Sequence, residues 1–152
     1  MTRELLSALA IMGVCLVIHV FGITIMGEQL VRRREKITAR ARFPFDAWLL
    51  LVVFSLVIFL HLGEAVIWAM FYYEASLFPN FETSLYFSME SYSTIGYGDV
   101  LLPEKWRLLG TVEGISAVLL CGLSAAFLFA IVSALFQLRT QRWMKDHTEN
   151  VT

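Results

Sequence analysis

The segment at residues 94–99 reads Thr-Ile-Gly-Tyr-Gly-Asp and combines residue types that suit the binding of a bare cation. In a uniform strand, successive backbone carbonyls point to alternate sides. Glycine adopts a positive φ without steric penalty, so Gly96 and Gly98 allow consecutive carbonyls to be aimed to the same side. Thr94 adds a hydroxyl oxygen at one end of this row. The segment therefore predicts a line of oxygen ligands that could replace the water around a cation.

Ionisable side chains also lie inside long apolar runs, namely His19, His61 and Glu64. Such groups are functional candidates when the apolar run lies in a membrane, because an unpaired charge is costly there. His61 and Glu64 lie one helical turn apart, which would suit a metal site, but one helix supplies two ligands at most. We therefore interpret Glu64 as a hydrogen-bonding partner of a neighbouring helix, with metal binding as the alternative.

The composition excludes several classes of protein. Of the 152 residues, 58% are hydrophobic and only 16% are charged, which is more apolar surface than a soluble domain of this size can bury. The net charge of -1 argues against nucleic-acid binding. The sequence has no nucleophile–base pair or phosphate-binding loop, so we predict neither an enzyme nor a resident cofactor. Cys15 and Cys121 lie inside apolar runs and are interpreted as packing residues, not as a disulfide.

Three apolar runs are long enough to cross a bilayer as helices, at residues 5–27, 46–73 and 106–138. About 20 residues span a hydrocarbon core roughly 30 Å thick. The first run is too long for the apolar part of a signal peptide and lacks the polar face of an interfacial helix, which are the two alternatives. The third run is longer than the core is thick, so it is expected to tilt or to emerge into the cytoplasm.

Basic residues predict the orientation of these helices. The linker at residues 31–45 and the tail at residues 139–152 are rich in Arg and Lys, whereas few basic residues lie beyond the opposite membrane face. Short basic segments remain on the cytoplasmic side. The N-terminus is therefore predicted to lie outside and the C-terminus in the cytoplasm.

A short helix is predicted to carry the segment at residues 94–99 into the membrane. Asn80 follows Pro79 and has the properties of an N-cap, so the helix is expected over residues 81–92, which is too short to span a bilayer. A short helix with a glycine-rich return forms a re-entrant loop, and such a loop must be surrounded by protein or by a watery cavity. The negative end of the helix dipole would point toward the cation.

This arrangement resembles the pore domain of potassium channels, from about Ala47 to Gln137. The motif at residues 94–99 carries the resemblance, although the family usually has valine in place of Ile95. The resemblance implies a selectivity filter formed by Thr94, Ile95, Gly96, Tyr97 and Gly98, with K⁺ bound at Thr94, Ile95, Gly96 and Tyr97. In such a filter the side chains of Ile95 and Tyr97 face the surrounding wall. One loop encloses a quarter of the axis, so four identical subunits are expected.

The resemblance also implies supporting roles around the filter. Glu90 and Asp99 match a carboxyl pair that hydrogen-bonds behind the filter in a proton-gated bacterial member, where a tryptophan stands at the position of Tyr86. A solvated Glu90 is the alternative. Glu113, which follows Arg107, matches an acidic position of bacterial two-span channels and is expected to be structural, close to the helix at residues 81–92.

Small residues recur along the third run and favour close packing of helices, with part of a cavity wall as the alternative. Aligning the family on Arg107 gives one set of cavity-facing residues: Val118, Cys121 and Ala125. Aligning it on Trp106 gives another set: Leu119, Gly122 and Ala126. The family's hinge glycine is replaced by Ala117, so the hinge candidates are Gly114, Ala117 and Gly122.

The sequence thus predicts an all-α membrane protein with an outer helix (46–73), a pore helix (81–92), a filter (94–99) and an inner helix (106–138). One additional helix precedes them and lacks the arginine row of a voltage sensor. The expected function is passive, selective conduction of K⁺ by a homotetramer, with three identical subunits and membrane lipid as partners. A plasma membrane, and specifically a bacterial inner membrane, is the expected location. The alternatives are a weakly selective cation channel of the same fold and a non-conducting, pore-like regulatory subunit.

Overall fold

The computed structural model describes residues 2–32 and 43–149, and within these ranges the chain is helical without any strand. The four α-helices are α1 (Thr2–Arg32), α2 (Phe43–Glu74), α3 (Phe81–Tyr92) and α4 (Arg107–Glu149). A 3₁₀ turn at Glu104–Trp106 leads into α4. The all-α fold is as predicted.

Three of these helices are long and apolar enough to cross a membrane, over Glu4–Arg32, Pro44–Glu74 and Glu104–Gln141. Their most apolar windows are only 11%, 22% and 22% buried within the chain, so most of their apolar surface needs another apolar environment. Lipid supplies such an environment. The protein is therefore an all-α membrane protein with an additional N-terminal helix, as the sequence predicted.

Two boundaries differ from those expected. Helix α1 continues beyond residues 5–27 to Arg32, so the first residues of the predicted basic linker are helical, while residues 33–42 lie outside the described part of the chain. Helix α4 does not end near residue 138 but continues to Glu149. The reason is that no proline or glycine follows Gly122 within α4, so nothing in the predicted tail breaks the helix.

An aromatic core joins α2, α3 and α4 at the level where the loop after α3 begins. Trp68 and Tyr72 of α2 are fully buried, as is Leu109 of α4, and all three belong to one apolar cluster with Phe87 of α3. The rings of Tyr72 and Phe87 meet edge to face at a centroid distance of 5.3 Å, a favourable arrangement for aromatic pairs. This core fixes α3 between the two long helices.

Small residues of α4 allow α3 to approach it closely. A Cβ atom at Gly110 would lie 3.1 Å from Cζ of Phe87, and one at Gly114 would lie 3.3 Å from the carbonyl oxygen of Ser91. Larger side chains would push the two helices apart at both positions. The packing interpretation of the small residues therefore holds for this part of α4.

Candidate functional site

Helix α3 positions the predicted filter segment through both of its ends. At its start, Oδ1 of Asn80 accepts a hydrogen bond from the backbone N–H of Thr83 at 2.8 Å, which is the predicted N-cap. At its end, Ser93 is the C-cap, and its N–H donates to the carbonyl oxygen of Met89 at 2.9 Å. The helix thus ends directly before Thr94, and its C-terminal dipole end lies next to the segment that follows.

Alternate residues of the filter segment have a left-handed backbone. The φ angle is 61° at Thr94, 60° at Gly96 and 76° at Gly98. A positive φ is costly for a β-branched residue, so the surrounding structure must hold Thr94 in place. Two hydrogen bonds back to α3 do so: the Thr94 N–H donates to the Ser91 carbonyl at 3.0 Å, and the Ile95 N–H donates to the Glu90 carbonyl at 3.1 Å.

The side chain of Glu90 supports the C-terminal end of this segment, at Gly98. Its side chain is buried, and Oε1 accepts a hydrogen bond from the backbone N–H of Gly98 at 2.8 Å. A bond from an amide to a carboxylate is stronger than one between neutral groups. Glu90 therefore ties the last glycine of the segment to the helix that precedes it, and it is not a solvated surface charge.

Glu90 and Asp99, which match a hydrogen-bonded carboxyl pair in the resemblance, have different partners among the described residues. Asp99 instead accepts from the hydroxyl of Tyr86, with 2.9 Å between Oη and Oδ2. Two carboxylates can bond only by sharing a proton, whereas an amide and a phenol each offer a ready donor. The bond to Asp99 raises the pKa of Tyr86 above its ordinary value, so the phenol remains a proton donor.

Glu113 is a buried junction between three helices. Its Oε2 accepts from the Tyr72 hydroxyl of α2 at 2.6 Å, and its Oε1 lies 2.5 Å from the Ser88 hydroxyl oxygen of α3, which is also 2.7 Å from the carbonyl oxygen of Ala65. Both hydroxyls are themselves buried. The predicted structural role of Glu113 near α3 is confirmed.

Glu64 hydrogen-bonds neighbouring helices, as predicted, and does so with both oxygens. Nδ1 of His19 in α1 lies 2.8 Å from Oε1, and the Tyr92 hydroxyl of α3 donates to Oε2. Ser124 of α4 lies 3.0 Å from a ring nitrogen of each histidine, His19 and His61. The sequence did not single out Tyr92 or Ser124, because hydroxyl residues are common in helices and their spacing carries no signal.

The two alternative sets of cavity-facing residues are all exposed in a single chain: Val118, Cys121, Ala125, Leu119, Gly122 and Ala126. Val118 and Leu119 line a groove together with Thr94, which places this stretch of α4 next to the start of the filter segment. The hinge candidates Gly114, Ala117 and Gly122 all lie within continuous helix, and Ala117 is buried. Both cysteines are free, with Cys15 buried and Cys121 exposed.

Comparison with known protein families assigns the chain to one of them. A family model described as an ion channel matches residues 47–134, which include almost all of α2, the whole of α3 and the filter segment, and much of α4. Comparison with curated proteins and with solved structures gave no match. Because the match covers more than half of the chain, this membrane protein belongs to the ion-channel family.

Proposed function

We propose that the chain is one subunit of a tetrameric, K⁺-selective channel and that residues 94–98 are its quarter of the selectivity filter. The observation that carries this proposal is the alternation of positive φ at Thr94, Gly96 and Gly98, directly after the C-terminus of α3. Successive carbonyls can all face one axis only if left-handed and right-handed backbone conformations alternate along the segment.

The chemistry of the segment fits a dehydrated monovalent cation. K⁺ leaves water only when oxygens of similar number and field replace its hydration shell, and potassium channels supply them from backbone carbonyls of a Thr-Val-Gly-Tyr-Gly loop. Here the sequence is Thr-Ile-Gly-Tyr-Gly, with the Thr94 hydroxyl at the end next to α4. The C-terminus of α3 adds a favourable potential for a cation at that end.

The exposure of the filter segment supports an oligomer. Ile95 is 56% exposed and Tyr97 is 72% exposed in the single chain, on an irregular backbone that a membrane cannot solvate. Copies of the same chain around a fourfold axis would cover these two side chains and would close the ring of carbonyls. The distribution of Arg and Lys supports an N-terminus outside and a C-terminus in the cytoplasm, and a bacterial inner membrane is our proposed location.

Mass and flux measurements test the proposal. The purified full-length chain should have the mass of a tetramer in detergent, after subtraction of bound detergent, and cross-linking should stop at four chains. In liposomes it should carry K⁺ down a gradient and nearly exclude Na⁺. Equal fluxes of the two ions would instead identify a weakly selective cation channel. A tetramer without flux of either ion would identify a non-conducting subunit, and a stable dimer or trimer would rule out the fourfold pore.

Removing the Glu90 carboxylate should destabilise the conducting filter without changing its ion preference. In Glu90→Ala the Gly98 N–H loses its acceptor, and a hydrogen bond to a charged group contributes about 1.5–3 kcal/mol. Currents should therefore inactivate roughly tenfold faster than in the parent or more, while the preference for K⁺ over Na⁺ is retained because the carbonyls remain. Glu90→Gln keeps an acceptor oxygen, so its inactivation rate should lie between those of the parent and Glu90→Ala. Parent-like inactivation in Glu90→Ala would show that this bond does not support the filter.

A further inference from the structure

Two helices bring together three side chains that the sequence alone could not join. His19 of α1 and His61 and Glu64 of α2 each offer one ligand atom within 4.8 Å of those of the other two, and we call these residues the His–Glu cluster. His19 and Glu64 are fully buried, and 17% of the His61 side chain is exposed. The objection that one helix supplies only two ligands is therefore removed, because α1 supplies the third.

Both imidazole rings have the same orientation in the cluster. Nδ1 of His19 lies 2.8 Å from Oε1 of Glu64, and Nδ1 of His61 lies 3.5 Å from Oε2. Both Nε2 atoms lie 3.0 Å from a single oxygen, Oγ of Ser124. Metal-binding histidines are held in this way, with one ring nitrogen toward the ion and the other N–H donated to a fixed oxygen. A serine oxygen has two lone pairs and can accept from both rings.

The hydrogen bonds of the cluster form a closed ring that runs through Glu64, Tyr92, His61, Ser124 and His19. Within the described residues, the Glu64 carboxyl group has no Lys or Arg in an ion pair, and its nitrogen partners are the two imidazoles. A divalent cation held between these three side chains would place a positive charge beside the buried carboxyl group.

We propose that the His–Glu cluster binds a divalent transition-metal ion, with Nδ1 of both histidines and the Glu64 carboxylate as ligands. Two imidazoles and one carboxylate suit Zn²⁺ and its neighbours, whereas Mg²⁺ and Ca²⁺ select sites made of oxygen. Bonds of about 2.0–2.1 Å to a tetrahedral ion place neighbouring ligand atoms about 3.3 Å apart. Nδ1 of His19 lies 2.8 Å from Oε1 of Glu64 and Nδ1 of His61 lies 3.5 Å from Oε2, so these two distances lie on either side of this value. Three protein ligands leave the fourth position to water.

A metal at this position would fasten the additional helix to the rest of the chain. Its ligands come from α1 and α2, and Tyr92, which donates to Glu64, is the last residue of α3. The two residues after Tyr92 are the C-cap Ser93 and the first filter residue, Thr94. The ion would therefore lie next to the support of the filter segment, while its ligands are distinct from the carbonyls proposed to bind K⁺.

The test is metal binding by the purified full-length chain, prepared without a polyhistidine tag and stripped with a chelator. Calorimetry with Zn²⁺ should give one site per chain, and Co²⁺ should give the visible absorption of a tetrahedral site that Zn²⁺ displaces. Losing a residue that only orients a ligand costs about 10–100-fold in affinity, so we expect Ser124→Ala to fall in that range. Losing a ligand in Glu64→Gln, His19→Gln or His61→Gln should cost about a hundredfold or more.

Two control variants separate this site from adventitious binding. His147→Gln removes the third histidine of the sequence, and Cys121→Ser removes an exposed thiol that could bind Zn²⁺ by itself. Both should retain the parent affinity, and size-exclusion elution should show that each variant is folded. If burial makes Glu64→Gln unfold, the partly exposed His61→Gln gives the result. The proposal is overturned if the stripped parent binds no ion, or if binding is lost in either control and kept in the ligand variants.

Discussion

Replacing Gly98 with alanine is expected to abolish the preference for K⁺ over Na⁺, and Gly96→Ala is expected to do the same. Apart from the two adjacent residues, no atom of the described residues lies within 4 Å of a Cβ built at either position, so the effect does not come from crowding within that part of the subunit. It comes from φ, which is 76° at Gly98 and 60° at Gly96. The left-handed conformation costs an L-residue roughly 1–2 kcal/mol, and in the proposed tetramer four subunits would carry this cost together. About 1.4 kcal/mol already changes an equilibrium tenfold.

The measurement is the ratio of K⁺ to Na⁺ permeability in liposomes or planar bilayers. Gly63→Ala is the matched control, because it adds the same methyl group inside α2, where a Cβ also meets nothing within 4 Å and φ is helical. It should leave the ratio unchanged. A D-alanine introduced at position 98 by semisynthesis should restore selectivity, since a D-residue favours positive φ. Retained selectivity in the L-alanine variants would place the filter elsewhere.

The largest loss of stability is expected from Glu113→Ala. This change removes the acceptor of the buried Tyr72 hydroxyl and leaves a cavity where α2, α3 and α4 meet, whereas the Ser88 hydroxyl keeps the carbonyl oxygen of Ala65, 2.7 Å away, as an acceptor. A buried hydroxyl left without a partner costs about 1–3 kcal/mol, so the unfolding free energy should fall by about 1–3 kcal/mol before the cavity is counted. Unfolding in detergent, followed by circular dichroism against denaturant, measures the loss.

A surface carboxylate on the same bundle provides the comparison for Glu113. Glu74, the last residue of α2, is exposed, and Glu74→Ala should change the unfolding free energy by no more than about 0.5 kcal/mol. Glu113→Gln keeps one acceptor oxygen, so its loss of unfolding free energy should lie between those of Glu74→Ala and Glu113→Ala. Equal unfolding midpoints for Glu113→Ala and Glu74→Ala would mean that the junction at Glu113 contributes little to holding the three helices together.

Local chemistry explains what could be predicted from the sequence. Helix α3 has the predicted bounds because Asn80 provides a side-chain cap at its start and the glycine-containing segment cannot continue it. The burial of Glu90 was also predictable, because a carboxylate at the end of an apolar helix needs a partner. Each of these inferences uses only neighbours along the chain.

The remaining features depend on how the helices rotate against one another, which periodicity does not determine. His19 and Glu64 meet only because α1 turns one particular face toward α2, and both helices are apolar on every side. The same limit applies to the bond between Glu90 and Gly98, for which the resemblance suggested a carboxyl partner. The end of α4 was misjudged for another reason: the prediction ended where the apolar run ended, whereas a helix ends only at a breaker or a cap.

The length of α4 has a mechanical consequence. Its 43 residues extend about 65 Å at 1.5 Å per residue, roughly twice the thickness of a hydrocarbon core. Arg139 fastens this rod to the first turn of α2, where its Nε and Nη2 atoms both lie 2.8 Å from Oδ2 of Asp46. Without proline or glycine beyond Gly122, the rod has no built-in joint there. A sideways displacement of the end near Glu149 would then be transmitted along an unbroken helix, past this ion pair, to the part of α4 that lies beside Thr94.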